Sequence, residues 1–299
     1  MLPYPTPQFA PLTIDTLLLS RKSAARLGKA TKDIVERGWY FNEFERQIDI
    51  AAARDAAKLD QVAYRPGQPI AIRPVRHAQF HTAVFNQPTL TVAHARHLQG
   101  HRVALLNFAS PITPGGGWLR GARAQEESLA RASALAHCLS DDIWYYDSRH
   151  ARNPFYDDTV IVTPNVPFFR QHEGDLLATP WQADVLTTAA VHARAVRHYM
   201  PGRESEIPRI MLGRAIAMLR AACTLDADVL VLGAWGCGNF GNAPTLIATV
   251  FREAFNLVDM RTFAQIDFAV ADLRTPPLFY QAFAQMFGGV AGLADTTRL

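Results

Sequence analysis

Apolar and polar positions along the chain follow two rhythms, one helical and one extended, and they alternate. From about Ser20 to Gln61 the spacing is helical. Ile34, Val35 and Trp39 recur at helical intervals, Ile48 to Leu59 is Ala-rich with apolar residues three and four apart, and Gly38 marks a break. Residues 1–12 carry four prolines and predict an extended arm. Gly67-Gln68-Pro69 reads as a turn and Pro69 to Val75 as a short strand. His81 to Phe85 then predicts a strand and Pro88 to Leu98 a helix. Val103 to Phe108 is continuously apolar, as a buried strand should be. A Pro/Gly loop leads into a helix expected from Gln125 to Leu139. Thr159–Thr163 and Asp184–Ala189 read as strands. Ile207 to Cys223 is an amphipathic helix with Ile210, Met211, Ala215, Met218, Leu219 and Ala222 on one face. Val229–Gly233, Ala243–Phe255 and Ile266–Ala271 predict strand, helix and strand, and Pro276-Pro277 opens a closing helix.

Strands alternating with helices predict an α/β layer fold, with a largely parallel sheet covered on both faces. No repeat or low-complexity linker interrupts it. The expected anatomy is an α-helical N-terminal extension, residues 1–68, on an α/β domain, residues 69–299.

Composition narrows the function classes. Apolar residues make up 49% and charged residues 19% of 299, which excludes a disordered chain. Thirty basic residues against 27 acidic give a net charge of only +3, with no like-charge run, so no dedicated nucleic-acid binding is expected. Cys138, Cys223 and Cys237 are too few and too widely spaced for a disulfide framework or a zinc site, and predict a reducing cytoplasm. The first residues lack the basic region and apolar core of a signal peptide, and no stretch reaches the ~20 apolar residues of a membrane span.

Two of the buried strands end in glycine clusters. Val103–Phe108 runs into Ala109-Ser-Pro-Ile-Thr-Pro-Gly-Gly-Gly117, and Val229–Gly233 into Ala234-Trp-Gly-Cys-Gly-Asn-Phe-Gly241. Consecutive glycines cost backbone entropy and fit where the chain must approach a ligand closely. Each loop also feeds a helix start, whose free N–H groups and dipole favour a phosphate. Tight strand–helix connections would use some of the same glycines. Gly236 to Gly241 fits G-x-G-x-x-G, but near the C-terminus rather than in an opening βαβ unit. Asp259, at nearly the right distance, precedes a strand instead of ending one, so a nicotinamide-dependent oxidoreductase is disfavoured. After the triple glycine comes Gln125-Glu126-Glu127, in the first turn of the expected helix. Helix dipoles favour acids there in any protein. Adjacent helical residues point about 100° apart, so the two carboxyls cannot face each other as a glycosidase pair does. One can act as a general acid on a leaving oxygen while the other fixes a hydroxyl. A carboxyl buried near a pyrophosphate would tend to hold its proton.

These residues resemble the bacterial, microbial-type branch of the poly(ADP-ribose) glycohydrolase family. The signature is a triple glycine, a spacer and Gln-Glu-Glu, here Gly115-Gly-Gly-Trp-Leu-Arg-Gly-Ala-Arg-Ala-Gln-Glu-Glu127. Leu106-Asn-Phe-Ala-Ser110, Ser128-Leu129 and Leu232-Gly-Ala-Trp-Gly-Cys-Gly-Asn-Phe-Gly-Asn242 are similar too, and Val162 to Arg170 more loosely. The resemblance implies a macrodomain-like mixed sheet flanked by helices. It implies cleavage of ribose–ribose bonds in poly(ADP-ribose) or ADP-ribosylated macromolecules to release ADP-ribose, a reversal of ADP-ribosylation in settings such as the DNA damage response. No metal and no redox cofactor is implied. Glu127 would be the general acid and base, and Glu126 would hold a ribose hydroxyl. Gly115, Gly116 and Gly117 would wrap the distal ribose and its phosphate, with Gln125 beside them. Gly236, Gly238 and Gly241 would cradle the pyrophosphate, with Phe240 on the distal ribose, and Gly233, Cys237 and Asn239 would belong to the same substrate-binding loop. Where the animal enzymes place an Asn shortly before the triple glycine this chain has Ser110, so the ribose contact falls to Asn107 or to Ser110. The alternative is a non-catalytic ADP-ribose reader on the same fold, against which the intact Gln-Glu-Glu speaks.

Other candidates carry less. His77/His81 and His94/His97 share helical spacing but lack acidic or thiol partners for a metal. Cys237 has no His placed to activate it. Trp118, Trp235 and the 144–146 cluster are candidates to stack on adenine or to fill the core. Arg120 and Arg123, in the spacer, are placed to meet phosphates or water, and Phe168 and Phe169 read as core or pocket wall.

Overall fold

The computed structural model describes residues 4–13, 19–141, 145–146, 152–171, 174–288 and 291–292. Helix α1 (Arg21–Arg37) starts at Ser20, whose hydroxyl accepts from the Ser23 N–H at 3.0 Å, and stops at Gly38 with φ +85°. The helical pattern does not continue to Gln61. Trp39–Phe41 (β1) and Gln47–Asp49 (β2) form an antiparallel hairpin before α2 (Ala51–Leu59). The aromatic run suits a strand better than a helix, and the Asn42 side chain accepts from the Phe44 and Arg46 N–H groups to close the turn. Val62–Tyr64 (β3) then joins the main sheet.

Pro69 to Val75 is not a strand. Two of its residues are prolines without a donor, and Arg73 instead donates its backbone N–H to Cys223 O and its Nε to Thr224 O. The alternation continues with β4 (Phe80–Phe85), α3 (Thr89–Leu98) and β5 (Val103–Phe108). The helix expected from Gln125 to Leu139 is broken. α4 (Gln125–Ala132) ends at an extended Ser133, whose hydroxyl bonds back to Leu129 O and whose backbone bridges Phe168, and α5 (Leu135–Cys138) follows. The strands at Thr159–Thr163 and Asp184–Ala189 are the inner ends of a longer bulged hairpin, β6 (Val160–Arg170) and β7 (Leu176–Thr188). Prolines 164, 167 and 180 hid the rest from a pattern reading. Then come α6 (Ala193–Tyr199), α7 (Ile207–Ala222), β8 (Val229–Gly233), α8 (Pro244–Leu257), β9 (Gln265–Ala269), α9 (Leu278–Phe287) and β10 (Ala291–Gly292).

The main sheet runs β10-β4-β9-β8-β5-β7-β6-β3. Its five inner strands, β4, β9, β8, β5 and β7, are parallel, while β10, β6 and β3 pair antiparallel at the margins. It is the mixed sheet with flanking helices that the sequence led us to expect. Successive residues of β5 serve opposite faces. Ala104 and Leu106 pack with Met218, Leu219 and Phe251 of α7 and α8, whereas Val103 and Leu105 pack with Leu90 of α3 and Leu129 of α4. On the second face, the buried Arg96 of α3 donates two N–H groups to Asp267 of β9, at 2.6 and 3.1 Å, and a third to Pro5 O. That pair ties the proline-rich arm to the sheet. Tyr4 stacked on His101 and Phe9 set edge-on to Phe85 extend the attachment.

Candidate active site

Strands β5 and β8 are parallel neighbours, with Val103 opposite Val229 and Leu105 opposite Val231. Both glycine loops therefore leave the same edge of the sheet, the carboxyl edge where ligands bind in open α/β folds. Packing explains one glycine there without a ligand. A Cβ on Gly233 would lie 2.4 Å from Ala269 O and 2.9 Å from the Phe108 ring.

Gln125 locks α4 onto the end of β5. Its Oε1 accepts from the Phe108 N–H at 2.9 Å, and its Nε2 donates to Leu106 O at 2.7 Å and to Thr89 Oγ1 at 3.3 Å. The amide is thus engaged with the scaffold, and the next two side chains start from a fixed backbone. Glu126 Oε2 accepts from the Ser110 N–H at 2.7 Å, and Glu127 Oε1 accepts from the Gly117 N–H at 2.9 Å. The first glycine loop lies between them. A Cβ on Gly116 would sit 2.4 Å from Glu127 Oε1 and 2.9 Å from Glu126 Oε2. Two side chains that diverge by about 100° on the helix are thereby brought to one residue. Gly115 and Gly116 hold φ of +71° and +61°, which a side chain resists. Gly115 also faces Trp118, Ala130 and Ala136, and Gly117 faces Ala122, each at 3.0 Å or less from a built Cβ.

Both carboxyls are buried. Burial drives the Glu126 carboxyl well above the ordinary range. The neighbouring Glu127 raises it further, while hydrogen bonds from Ser110, Asn107 and Gly115 oppose the shift. The shift favours the protonated form of Glu126. Glu126 Oε1, Glu127 Oε2 and Asn107 Oδ1 are buried with no hydrogen-bond partner, and Asn107 Nδ2 donates a long bond to Thr187 Oγ1 at 3.4 Å. Of the two ribose-contact candidates, Asn107 offers a side-chain oxygen, and Ser110 contributes its backbone to Glu126.

The sign of the Glu126 shift gives a stability prediction. Its folded pKa lies above the ordinary 4.5, so the unfolded chain ionises first as pH rises. The contribution is complete below pH 4.5 and is lost as pH climbs through the folded value. Glu126→Gln is expected to remove that loss, so its Tm should gain on the wild type from pH 4.5 upward. Parallel Tm curves from pH 4 to 8 would contradict the shift.

The second loop is anchored by Trp235, buried with its indole N–H on Thr188 O at 3.2 Å. Gly236, at φ +73°, leaves room for Ala190 and for the Asn242 amide, whose Nδ2 donates to Val191 O at 2.8 Å and Gly236 O at 3.1 Å. No role was expected for Asn242, although it closes the glycine motif in sequence. The Cys237 thiol is buried, and burial pushes its pKa up, which disfavours a nucleophile. Gly238 and Asn239 are exposed, and a Cβ on Gly238 would meet nothing within 4 Å. Phe240 is half-buried, and Gly241 turns at φ +70° against Arg197.

A cleft of about 550 Å³ opens between Phe108, Ala124, Gln125 and Ser128 on one side and Gly236, Gly238, Asn239 and Phe240 on the other, with Pro88, Val270 and Phe279 completing the wall. Gly115 to Gly117, Glu126 and Glu127 do not line it, but Gln125 and Ser128, on either side of the carboxylates in the chain, do. Pro88, Val270 and Phe279 had no signal in the motif, because wall residues need only apolar surface.

The remaining candidates lie elsewhere. Trp118 packs with Ala130 and Ala136, and Phe168 and Phe169 are buried core. Tyr145 is buried beside Tyr146, and Trp144 lies outside the described residues. Arg123 reaches Leu19 O and lines the cleft, whereas the Arg120 carbonyl accepts from Arg21. His94 and His97 lie against the Trp181 ring, and the His77 backbone bonds Arg261. Among the described residues no three His, Cys, Asp or Glu side chains gather as metal ligands. Asp259 is paired with Arg261, not poised for a ribose.

Residues 28–171 match the model of the microbial-type poly(ADP-ribose) glycohydrolase catalytic domain. The crystal structure of poly(ADP-ribose) glycohydrolase from Thermomonospora curvata is similar at 36% identity, over 89% of this chain and 100% of that one, with a TM-score of 0.80. The same protein bound to the inhibitor ADP-HPD gives 36% identity, the same coverage and a TM-score of 0.77. Poly(ADP-ribose) glycohydrolase from Deinococcus radiodurans in complex with ADP-ribose is 30% identical over 80% of this chain and 98% of that one, with a TM-score of 0.72. None of the curated proteins matches the chain significantly.

Proposed function

The chain belongs to the microbial-type poly(ADP-ribose) glycohydrolase family, and from that premise we propose that it hydrolyses the ribose–ribose O-glycosidic bonds of poly(ADP-ribose) and releases ADP-ribose. The observation that carries the reading is the convergence of the Glu126 and Glu127 carboxyls on Gly116. In this reading Glu127 donates a proton to the departing ribose oxygen as the glycosidic C–O bond breaks. It then takes a proton from the water that attacks the oxocarbenium-like carbon, which restores the acid. Glu126, whose protonated form burial favours, holds a ribose hydroxyl through the oxygen that has no partner in the protein. Asn107 Oδ1 accepts from a second hydroxyl. Gly238 and Asn239 offer exposed backbone to the pyrophosphate, and Phe240 packs on the distal ribose.

Gln125 and Gly233 act in this scheme by shaping the scaffold around the ligand. We place the reaction in the cytoplasm, in reversal of ADP-ribosylation such as follows DNA damage. The three cysteines, all free and buried, support a reducing compartment, and the near-neutral charge balance supports a substrate other than bulk nucleic acid. Purified protein incubated with labelled poly(ADP-ribose) is expected to release monomeric ADP-ribose. Tight ADP-ribose binding with no monomer released would instead identify a non-catalytic reader.

A further inference from the structure

Phe240 is held by a segment outside both glycine loops. The His192 imidazole stacks on its ring, with centroids 4.5 Å apart and planes inclined by 16°. The Arg194 N–H donates to Phe240 O at 2.9 Å, Arg197 Nη2 donates to Gly241 O at 2.9 Å, and Asn242 Nδ2 donates to Val191 O at 2.8 Å. Residues 191–197 thus splint the end of the second loop at four points. The imidazole is itself pinned. His192 is the N-cap of α6, and its Nδ1 accepts from the Ala195 N–H at 3.2 Å. Burial above all lowers the His192 pKa, against a backbone hydrogen bond that raises it, and Arg194 and Arg197 lower it further, which favours the neutral ring with Nδ1 as the acceptor seen here. Tyr156 approaches Phe240 as a third ring at 6.0 Å, from a backbone at φ +58° that a bulky residue seldom adopts.

We propose that His192 is a positioning residue for the glycohydrolase reaction: its capped imidazole sets the plane of the Phe240 ring, and through that ring the pose of the distal ribose. The inference rests on the assignment of Phe240 to that ribose. It touches neither the reacting atoms nor the proton transfers given to Glu127.

Three variants test it by steady-state kinetics on poly(ADP-ribose). His192→Asn keeps a side-chain oxygen able to cap α6 but removes the ring. His192→Phe keeps a stacking ring and loses the acceptor. Phe240→Ala removes the ring that both would orient. His192→Asn is expected to lower kcat about tenfold, the upper end of what a lost ring pair supports, with KM changed less than about twofold and Tm unchanged. His192→Phe should recover to within about threefold of wild type, a rescue that a purely structural cap would not give. If His192→Asn turns over polymer at the wild-type kcat, or His192→Phe is no better than His192→Asn, the proposal is overturned. Phe240→Ala separates the two levels. Wild-type kcat in that variant would remove the ribose assignment of Phe240 itself, whereas a loss there with silent His192 variants would remove the His192 inference alone.

Discussion

Glu127→Gln is expected to lose about 1,000-fold or more in polymer turnover, within the range that a positioned proton donor supplies, while ADP-ribose still binds within a few-fold of the wild-type affinity. The substitution is nearly isosteric. The Gln side-chain oxygen can still accept from the Gly117 N–H, so the loop that now rests on Glu127 Oε1 keeps its support. What disappears is the proton for the leaving ribose oxygen and the base for the water. Glu126→Gln should behave differently. Burial favours the protonated form of its carboxyl, and an amide retains a neutral hydrogen-bonding group. Its turnover should fall by about tenfold, the scale of one ribose hydrogen bond. Single-turnover cleavage of labelled polymer beside ADP-ribose titration reads both quantities. Near-wild-type turnover by Glu127→Gln would remove it as the acid, and equal losses in the two variants would mean that the pair does not divide the work as described.

How far this site could be read from the sequence depends on which forces define each part. The parallel strands were legible because their apolar runs leave them few other places to go. The glycine clusters and Gln-Glu-Glu were legible because their composition is hard to explain by packing alone. The β1–β2 hairpin was not, since Trp39 fits a helical face as well as a strand until Gly38 stops the helix and Asn42 closes a turn. The break at Ser133 was invisible for a similar reason: it is made by a bridge to Phe168, a contact far away in the chain. Within the site, residue identity did not reveal residue use. Gln125 looks like a ligand-facing amide in sequence, yet its oxygen and nitrogen close onto β5. Gly233 looks like part of a substrate-binding loop, yet Ala269 and Phe108 already account for its missing side chain. His192 carries no signal in the sequence, and its stacking on Phe240 depends on how two loops meet.

The same distinction between glycines that serve the protein and glycines that serve the ligand yields the second large effect. Gly116→Ala places a methyl group where the Glu127 and Glu126 oxygens now lie, 2.4 and 2.9 Å away, on a backbone at φ +61°. The backbone strain alone costs about 1 kcal/mol, a modest change in Tm. The clash is relieved most easily by moving the carboxyls, because they are the free ends of flexible side chains. A displacement of about 1 Å at reacting groups can cost on the order of 100-fold in rate, so kcat should fall by about that much while the fold survives. Gly238→Ala is the opposite case. Its added methyl meets nothing in the protein within 4 Å, so stability should be unchanged. Any loss must then come from the ligand: ADP-ribose binding should weaken by about tenfold, as crowding of a backbone–phosphate approach would produce. Thermal unfolding, polymer kinetics and ADP-ribose titration on the two variants separate the roles. Wild-type kcat in Gly116→Ala would mean that the carboxyls do not need their present positions. Wild-type ADP-ribose affinity in Gly238→Ala would mean that the pyrophosphate does not approach the chain at that residue.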